Sequence, residues 1–382
     1  TENVAIPAIG GQAFYGLKNL SRVIIPESIT RIGYKAFADC TSLKEISINE
    51  RITEIGTGAF QGCSNLEKVS FYCSDVTNTK LTKEAFADCE NLKTIFLGPS
   101  YSGNDFSLFD NIKTLQEYQV DEINPLYSSF DGLLCNKPQN TLAACPRGIR
   151  NMIIPGTFKS VGEYAFAWLY ELESLIVNEG VETICAGAFS YNEKLATVRL
   201  PSSVKEIGNS AFLGCSSLVD IELNEGLLSI GEETFSDCPF TEINLPTTLT
   251  NIGYWAFGFS GLKTIEIPEG ADLGNMAFYG CQNLENAILP GSITTIPMGL
   301  FEYCPSLTNV SLSEGLTHIS DFAFCSYGEG SLYKITFPST LESVGESIFG
   351  SGVVSNVVFL GRPPAVEEST FGGIAEDCVG YY

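Results

Sequence analysis

The chain is poor in several things that chemistry usually needs. It has a single histidine, two tryptophans and three methionines in 382 residues, and only 17% of its side chains are charged. One histidine, His318, cannot build a metal site by itself, and it lies between Thr317 and Ile319 with no nucleophile motif near it, so it reads as a surface residue. Basic residues are scarce: 21 Lys and Arg stand against 45 Asp and Glu, a net charge of -24. Such a surface repels phosphate backbones and anionic head groups, and no segment masses the few cations, which excludes nucleic acid as a partner. No apolar run approaches the ~18 to 20 residues that a spanning helix requires, so no membrane insertion is expected of this chain. The opening Thr1-Glu2-Asn3-Val4 lacks a basic region followed by an apolar stretch, so any export signal is expected to have been removed or never to have been there. Phosphate-cradling glycine loops, a Gly-x-Ser-x-Gly elbow, His-Glu-x-x-His and zinc spacings are all missing, which leaves no catalytic residue, cofactor or metal site to assign.

What the chain has is repetition. With 44% hydrophobic and 11% aromatic residues it can bury a large core. Phenylalanines recur from Phe14 through Phe212 to Phe371; eight of the fourteen intervals are 23 residues, five lie between 21 and 26, and Phe109 to Phe166 spans 57, two periods plus 11. A period in this range means a solenoid. The unit is nearly whole in Leu195, Val198, Leu200, Pro201, Val204, Ile207, Gly208, Ala211, Phe212 and Cys215. Its first part alternates with period two, a short strand with one face buried, and Pro201-Ser202-Ser203 or Pro268-Glu269-Gly270 ends it with turn formers. A second extended stretch ends at Ile-Gly, where Gly33, Gly56, Gly208 and Gly231 are expected to allow a turn. The Ala-Phe-x-x-Cys portion suits a helical turn too short to persist alone. No coil closes its own core, so successive coils must stack about 4.8 Å apart with equivalent Leu, Ile and Phe in ladders. About 15 such coils would make a rod roughly 70 Å long.

The Leu-x-x-Ile-x-Leu strand followed by Ile-Gly-x-x-Ala-Phe-x-x-Cys resembles the BspA-like class of bacterial leucine-rich repeats over nearly the whole chain. Val120 to Leu134, with Asn124-Pro125 and Asp131-Gly132, resembles the stretch with which that class often interrupts its repeats. The resemblance implies a right-handed leucine-rich-repeat solenoid with a parallel sheet on one face and short helical turns, exposed at a bacterial surface or secreted, and active in adhesion. We expect a single domain over residues 1–382, with a hairpin insertion at about 121–148 folded around Lys137-Pro138-Gln139-Asn140. The first coil is short of residues between Ile6-Pro7 and Ile9-Gly10, and neither end shows a clear polar cap, so the natural chain is expected to be longer.

Eight of the 13 cysteines occupy the repeat position after the Phe, filled elsewhere by Leu17, Leu169, Asn192 and Ser260. A position that accepts those residues is neither a metal nor a disulfide position, and small packed thiols follow. Cys135 and Cys145, on the two arms of the hairpin, form the pair best placed for a disulfide, and fit equally well as separate thiols. What can bind is the outward face of the sheet. There Phe96, Ile153 and Ile176 place large apolar groups beside the insertion, which either covers them or leaves them as an anchor for a partner. Asp220, Glu222, Glu242 and Glu266 place four carboxylates on three consecutive coils, either a solvated acidic face or a patch for a cation or a basic protein. Four side chains on a flat sheet serve the six to eight oxygens of calcium poorly, so a basic partner is favoured over a tight calcium site. The functional expectation is a non-catalytic protein or glycan binder; a spacer without a ligand of its own is the alternative, and an enzyme is disfavoured.

Overall fold

The computed structural model describes residues 7–74, 81–109, 111–327, 332, 334–350, 354–364, 370–371 and 374–381. The chain is a β-solenoid of about 15 turns, mostly strand with almost no helix. It divides into two compact units, Thr1–Ile149 and Arg150–Tyr382.

In the first unit, Glu45–Ile48, Lys68–Phe71, Thr94–Leu97 and Glu117–Val120 pair in parallel to form the main sheet. Glu45–Ile48 alternates exposed and buried along its length, as period-two patterning requires. Two-residue strands such as Arg31–Ile32 and Glu54–Ile55 make a second parallel line. The second unit repeats the plan with Asn151–Ile154, Ser174–Val177, Thr197–Arg199 and Asp220–Glu222 in one sheet and Ser160–Val161, Thr183–Ile184 and Glu206–Ile207 among the short strands. Ile374–Tyr381 adds a final parallel strand beside Val354–Phe359.

Within each unit, equivalent phenylalanines of successive coils form a ladder. Phe37 and Phe60 stack at 5.4 Å, Phe189 and Phe212 at 5.3 Å, and Phe212 and Phe235 at 5.5 Å, with every one of these rings buried. The spacing is close to the separation of neighbouring strands and lies within the range of offset-stacked rings.

Two sequence expectations change. The Ala-Phe-x-x-Cys segment is helical in few coils: among the described residues the only helices are the 3₁₀ turns Lys83–Phe86 and Ser107–Phe109, which end on ladder phenylalanines, and the other copies are turns or bends. Lys35 and Asp39 adopt left-handed φ of 49° and 59°. The N–H groups of Lys35, Phe37 and Asp39 donate to Thr57, Ala59 and Gln61 of the next coil, while those of Ala36 and Ala38 close turns onto Gly33 and Lys35. Alternating N–H groups are thus divided between their own turn and the neighbouring coil, and a helix would forgo the second set. The repeat glycines, in turn, are clearance positions. A Cβ at Gly56 would sit 2.5 Å from the Tyr34 amide nitrogen, and one at Gly208 2.7 Å from that of Ala186. Backbones of adjacent coils meet there, and a side chain at either glycine would require them to shift.

The insertion contains the hairpin around Lys137–Asn140, with Leu142 opposite Cys135. It contains a second hairpin as well, since Tyr127–Phe130 pairs antiparallel with Leu133–Asn136 across Asp131-Gly132, both in left-handed conformation. An Asp-Gly pair between two extended runs is the sequence signal for that turn. Asn124 anchors the segment: buried, it donates to the carbonyls of Gly98 and Tyr101 at 2.8 and 3.0 Å and accepts from the amides of Leu126 and Tyr127. All four of its hydrogen-bonding positions are used.

Candidate functional site

The outward face of the sheet is defined by the residues between the buried strand positions. In the second unit Ile153 and Ile176 are register neighbours, and Ile176 in turn pairs with Arg199 and Arg199 with Glu222. The two isoleucines are 59% and 43% exposed, so they form an open apolar step on a wet face and nothing covers them. Phe96, in the first unit, is half-buried: the Tyr72 ring lies 5.7 Å away and the Lys68 ammonium 5.1 Å over its face, both from the preceding coil. Lys68 also donates to Gln119 at 2.7 Å, and Glu117 accepts from Gln119 and Thr94, so the polar residues of this sheet are tied to one another.

The four carboxylates project from the outward face, but they do not act as one patch. Arg199 stands beside Asp220 and Glu222, bonding the first through its Nη2 and approaching the second at 3.3 Å through Nε. The Asp220 hydrogen bond, followed by the charges of both carboxylates, holds the Arg199 guanidinium above its usual range. Arg199 was legible in the sequence as the outward residue of the adjacent coil; neutralisation across coils is what a reading of acidic residues alone omits. Glu242 and Glu266 are exposed without an ion pair among the described residues, and the coil that carries Glu242 has no named strand there. That coil is one residue shorter: Pro239-Phe240 replaces Ser-Ser-Leu, and the Phe240 ring enters the core edge-on against Phe235 at 5.9 Å. Among the described residues no group of three or more His, Cys, Asp or Glu side chains converges as a metal site needs.

The repeat cysteines have a task that sequence spacing did not reveal. The thiols of Cys40, Cys63, Cys215 and Cys304 donate to the carbonyls of Phe14, Phe37, Phe189 and Phe278, each in the preceding coil, at 3.1 to 3.3 Å. Asn192 stands at the same repeat position and its side-chain amide donates to Phe166 in the same way, at 2.9 Å. In these coils the position supplies a small buried donor, while Leu169 fills it in another by packing alone. The twelve described cysteines are all free. Cys135 faces Leu142 rather than Cys145 and bonds with Ser128, while the Cys145 thiol turns to the Pro146 carbonyl, so the hairpin carries no disulfide. Burial pushes the Cys63 and Cys215 thiols up to about 12, which leaves them unreactive at neutral pH. His318 is exposed, its Nδ1 2.7 Å from the Thr317 hydroxyl.

Sequence reasoning also missed an aromatic row on the turn side of the second unit. Trp255 stacks on Tyr279 at 4.9 Å, Tyr279 lies 5.4 Å from Tyr303, and Tyr303 4.7 Å from Tyr327. Side chains at left-handed positions lie over glycines of the following coil, as Tyr191 does over Gly214 and Phe259 over Gly280. No single repeat position carries the row, since Trp255 lies two residues before Phe257 and Tyr279, Tyr303 and Tyr327 lie one, two and three after Phe278, Phe301 and Phe324.

The repeat model for BspA type leucine rich repeat regions matches residues 6–129, 138–260 and 228–354, six copies in all. The chain belongs to this family. Among solved structures, a leucine-rich repeat protein from Bacteroides ovatus is similar over 100% of this chain and 93% of its own, at 21% identity and a TM-score of 0.57, which shows a common fold. A leucine-rich repeat protein from Eubacterium ventriosum is 18% identical over 92% of this chain and 85% of its own, with a TM-score of 0.43. The pneumococcal vaccine antigen PcpA is 21% identical over 92% of this chain and 71% of its own, with a TM-score of 0.39. Comparison with curated proteins finds no match.

Proposed function

We propose that this chain is a non-catalytic, secreted or cell-surface binding protein whose outward sheet face recognises a protein or glycan partner. The observation that carries the reading is the Ile153–Ile176 step: two exposed apolar side chains in register, bordered on the same sheet by the Arg199, Asp220 and Glu222 cluster. An apolar centre with a charged rim is the composition of a recognition patch. The rim charges are paired with one another and so contribute orientation more than attraction.

Binding of the purified chain to immobilised glycan and extracellular-protein arrays tests this. Loss of binding in Ile153→Asp/Ile176→Asp, with retention in a turn-side control such as Tyr191→Ser, is the expected result. Absence of binding to every array, or equal loss in the control, favours the spacer reading.

A further inference from the structure

The outward face of the first unit carries a hollow of about 340 Å³ between the Arg22–Ile25 stretch and Glu45–Ile48, closed at one side by Tyr72 and Pro99. It opens where the regular pairing lapses, because among the described residues no backbone hydrogen bond joins Arg22–Ile25 to Glu45–Ile48, although the following three strands form a continuous ladder. Its volume lies near the lower bound of ligand sites, room for a few side chains and not for a domain. Ile24, 75% exposed, forms one apolar end. The Tyr72 ring, supported from behind by Phe96, forms the other. Ser47 lies on the floor, in register with Ser70, whose hydroxyl has no partner among the described residues although the residue is only 8% exposed.

The rim decides what fits. Glu27, Glu45 and Glu50 stand against Arg22, and none of the four has an ion pair among the described residues, whereas Arg199, Asp220 and Glu222 on the second unit's sheet are spent on one another. An unneutralised rim of three carboxylates on a chain of net charge -24 attracts cations. The Tyr72 face offers a cation–π contact, and Ile24 an apolar stem contact, to the same long side chain. We propose that this hollow binds a basic peptide segment of a partner protein, with a Lys or Arg flanked by apolar residues. The assignment rests on the sheet-face reading above and names a partner class for a part of that face which the Ile153–Ile176 step does not include.

The test is fluorescence anisotropy on the full chain with a labelled heptapeptide, Gly-Lys-Leu-Lys-Leu-Lys-Gly, its glutamate counterpart, and maltohexaose as competitor. The lysine peptide is expected to bind, more weakly as salt rises. Tyr72→Ala and Ser47→Leu, the second filling the hollow at an exposed position, should each weaken binding about tenfold. Glu45→Gln/Glu50→Gln should weaken it and flatten the salt dependence, with circular dichroism verifying that each variant folds. Equal binding of the glutamate peptide, displacement by maltohexaose, or indifference to Tyr72→Ala and Ser47→Leu overturns the proposal. Sensitivity confined to Ile153→Asp/Ile176→Asp removes this site and keeps the sheet-face reading, and insensitivity to both sets removes both.

Discussion

The two units solve the same problem, joining coil to coil, with different polar devices. In the second unit the devices are small and repeated. Glu179, in an Asn-Glu-Gly turn, accepts from the amides of Ser202 and Ser203 in the next coil, and Ser203 accepts from Gly180 in return. The exchange recurs between Glu225-Gly226 and Thr247-Thr248, Glu269-Gly270 and Gly291-Ser292, and Glu314-Gly315 and Ser339-Thr340. Coils therefore come in stapled pairs, an Asn-Glu-Gly, Pro-Glu-Gly or Ser-Glu-Gly turn followed by a Pro-Ser-Ser type turn. In the first unit the insertion breaks the period, and one side chain, Asn124, carries four hydrogen bonds at a single point. A device repeated every two coils tolerates the loss of one copy; a single anchor does not.

The largest expected effect sits in what the two units share. Phe212→Ala should destabilise by about 3 to 5 kcal/mol, because the ring is buried between Phe189 and Phe235 and neither neighbour can collapse into the space. Denaturant unfolding measures it, and a loss under about 1 kcal/mol would mean that the ladder is dispensable.

Next comes the anchor. Asn124→Ala should cost about 3 kcal/mol, since it removes four hydrogen bonds made by one buried side chain. Native-state hydrogen exchange should show the protection lost around Tyr127–Phe130 and Leu133–Asn136. Uniform loss across both units would contradict the contrast drawn here.

A smaller effect tests the thiol position. Cys215→Ala should cost about 1 to 2 kcal/mol, by removing a buried donor to the Phe189 carbonyl, and Cys215→Asn should recover part of it if the position selects for a donor. Equal stability of the two variants would return the position to mere packing.

These residues also mark how far sequence carries. Period, strand alternation and core phenylalanines were legible, because a buried side chain must recur wherever the backbone recurs. The unpaired nature of the cysteines was legible for the same reason, as Leu, Asn and Ser share the position. The helical reading of Ala-Phe-x-x-Cys holds only for the 3₁₀ turns at Phe86 and Phe109, because elsewhere left-handed residues such as Lys35 and Asp39 are held by hydrogen bonds to another coil, which local propensity does not contain. For the sheet face, the exposed positions could be counted, but the Arg199 pairing and the hollow at Ser47 depend on how neighbouring coils align.

The subtlest prediction concerns the staples and pH. Hydrogen bonds from Ser202 hold the Glu179 carboxyl below its ordinary range; those from Thr247 do the same for Glu225, those from Ser292 and Gly291 for Glu269, and those from Ser339 for Glu314. A carboxyl lowered in the folded state binds fewer protons there than in the unfolded chain. Its stabilisation is thus complete above the unfolded value, near 4.5, and declines as pH falls through the lowered folded value. Glu302 and Asp237 oppose this, since burial raises both and protonation relieves them. The difference between wild type and Glu225→Gln isolates the staple from that background. It should be present at pH 7 and vanish as the pH is lowered below about 4. A wild-type-minus-variant difference that stays flat from pH 7 to pH 3 would show that the carboxylate charge is irrelevant to the staple and that the turns are held by their backbone alone.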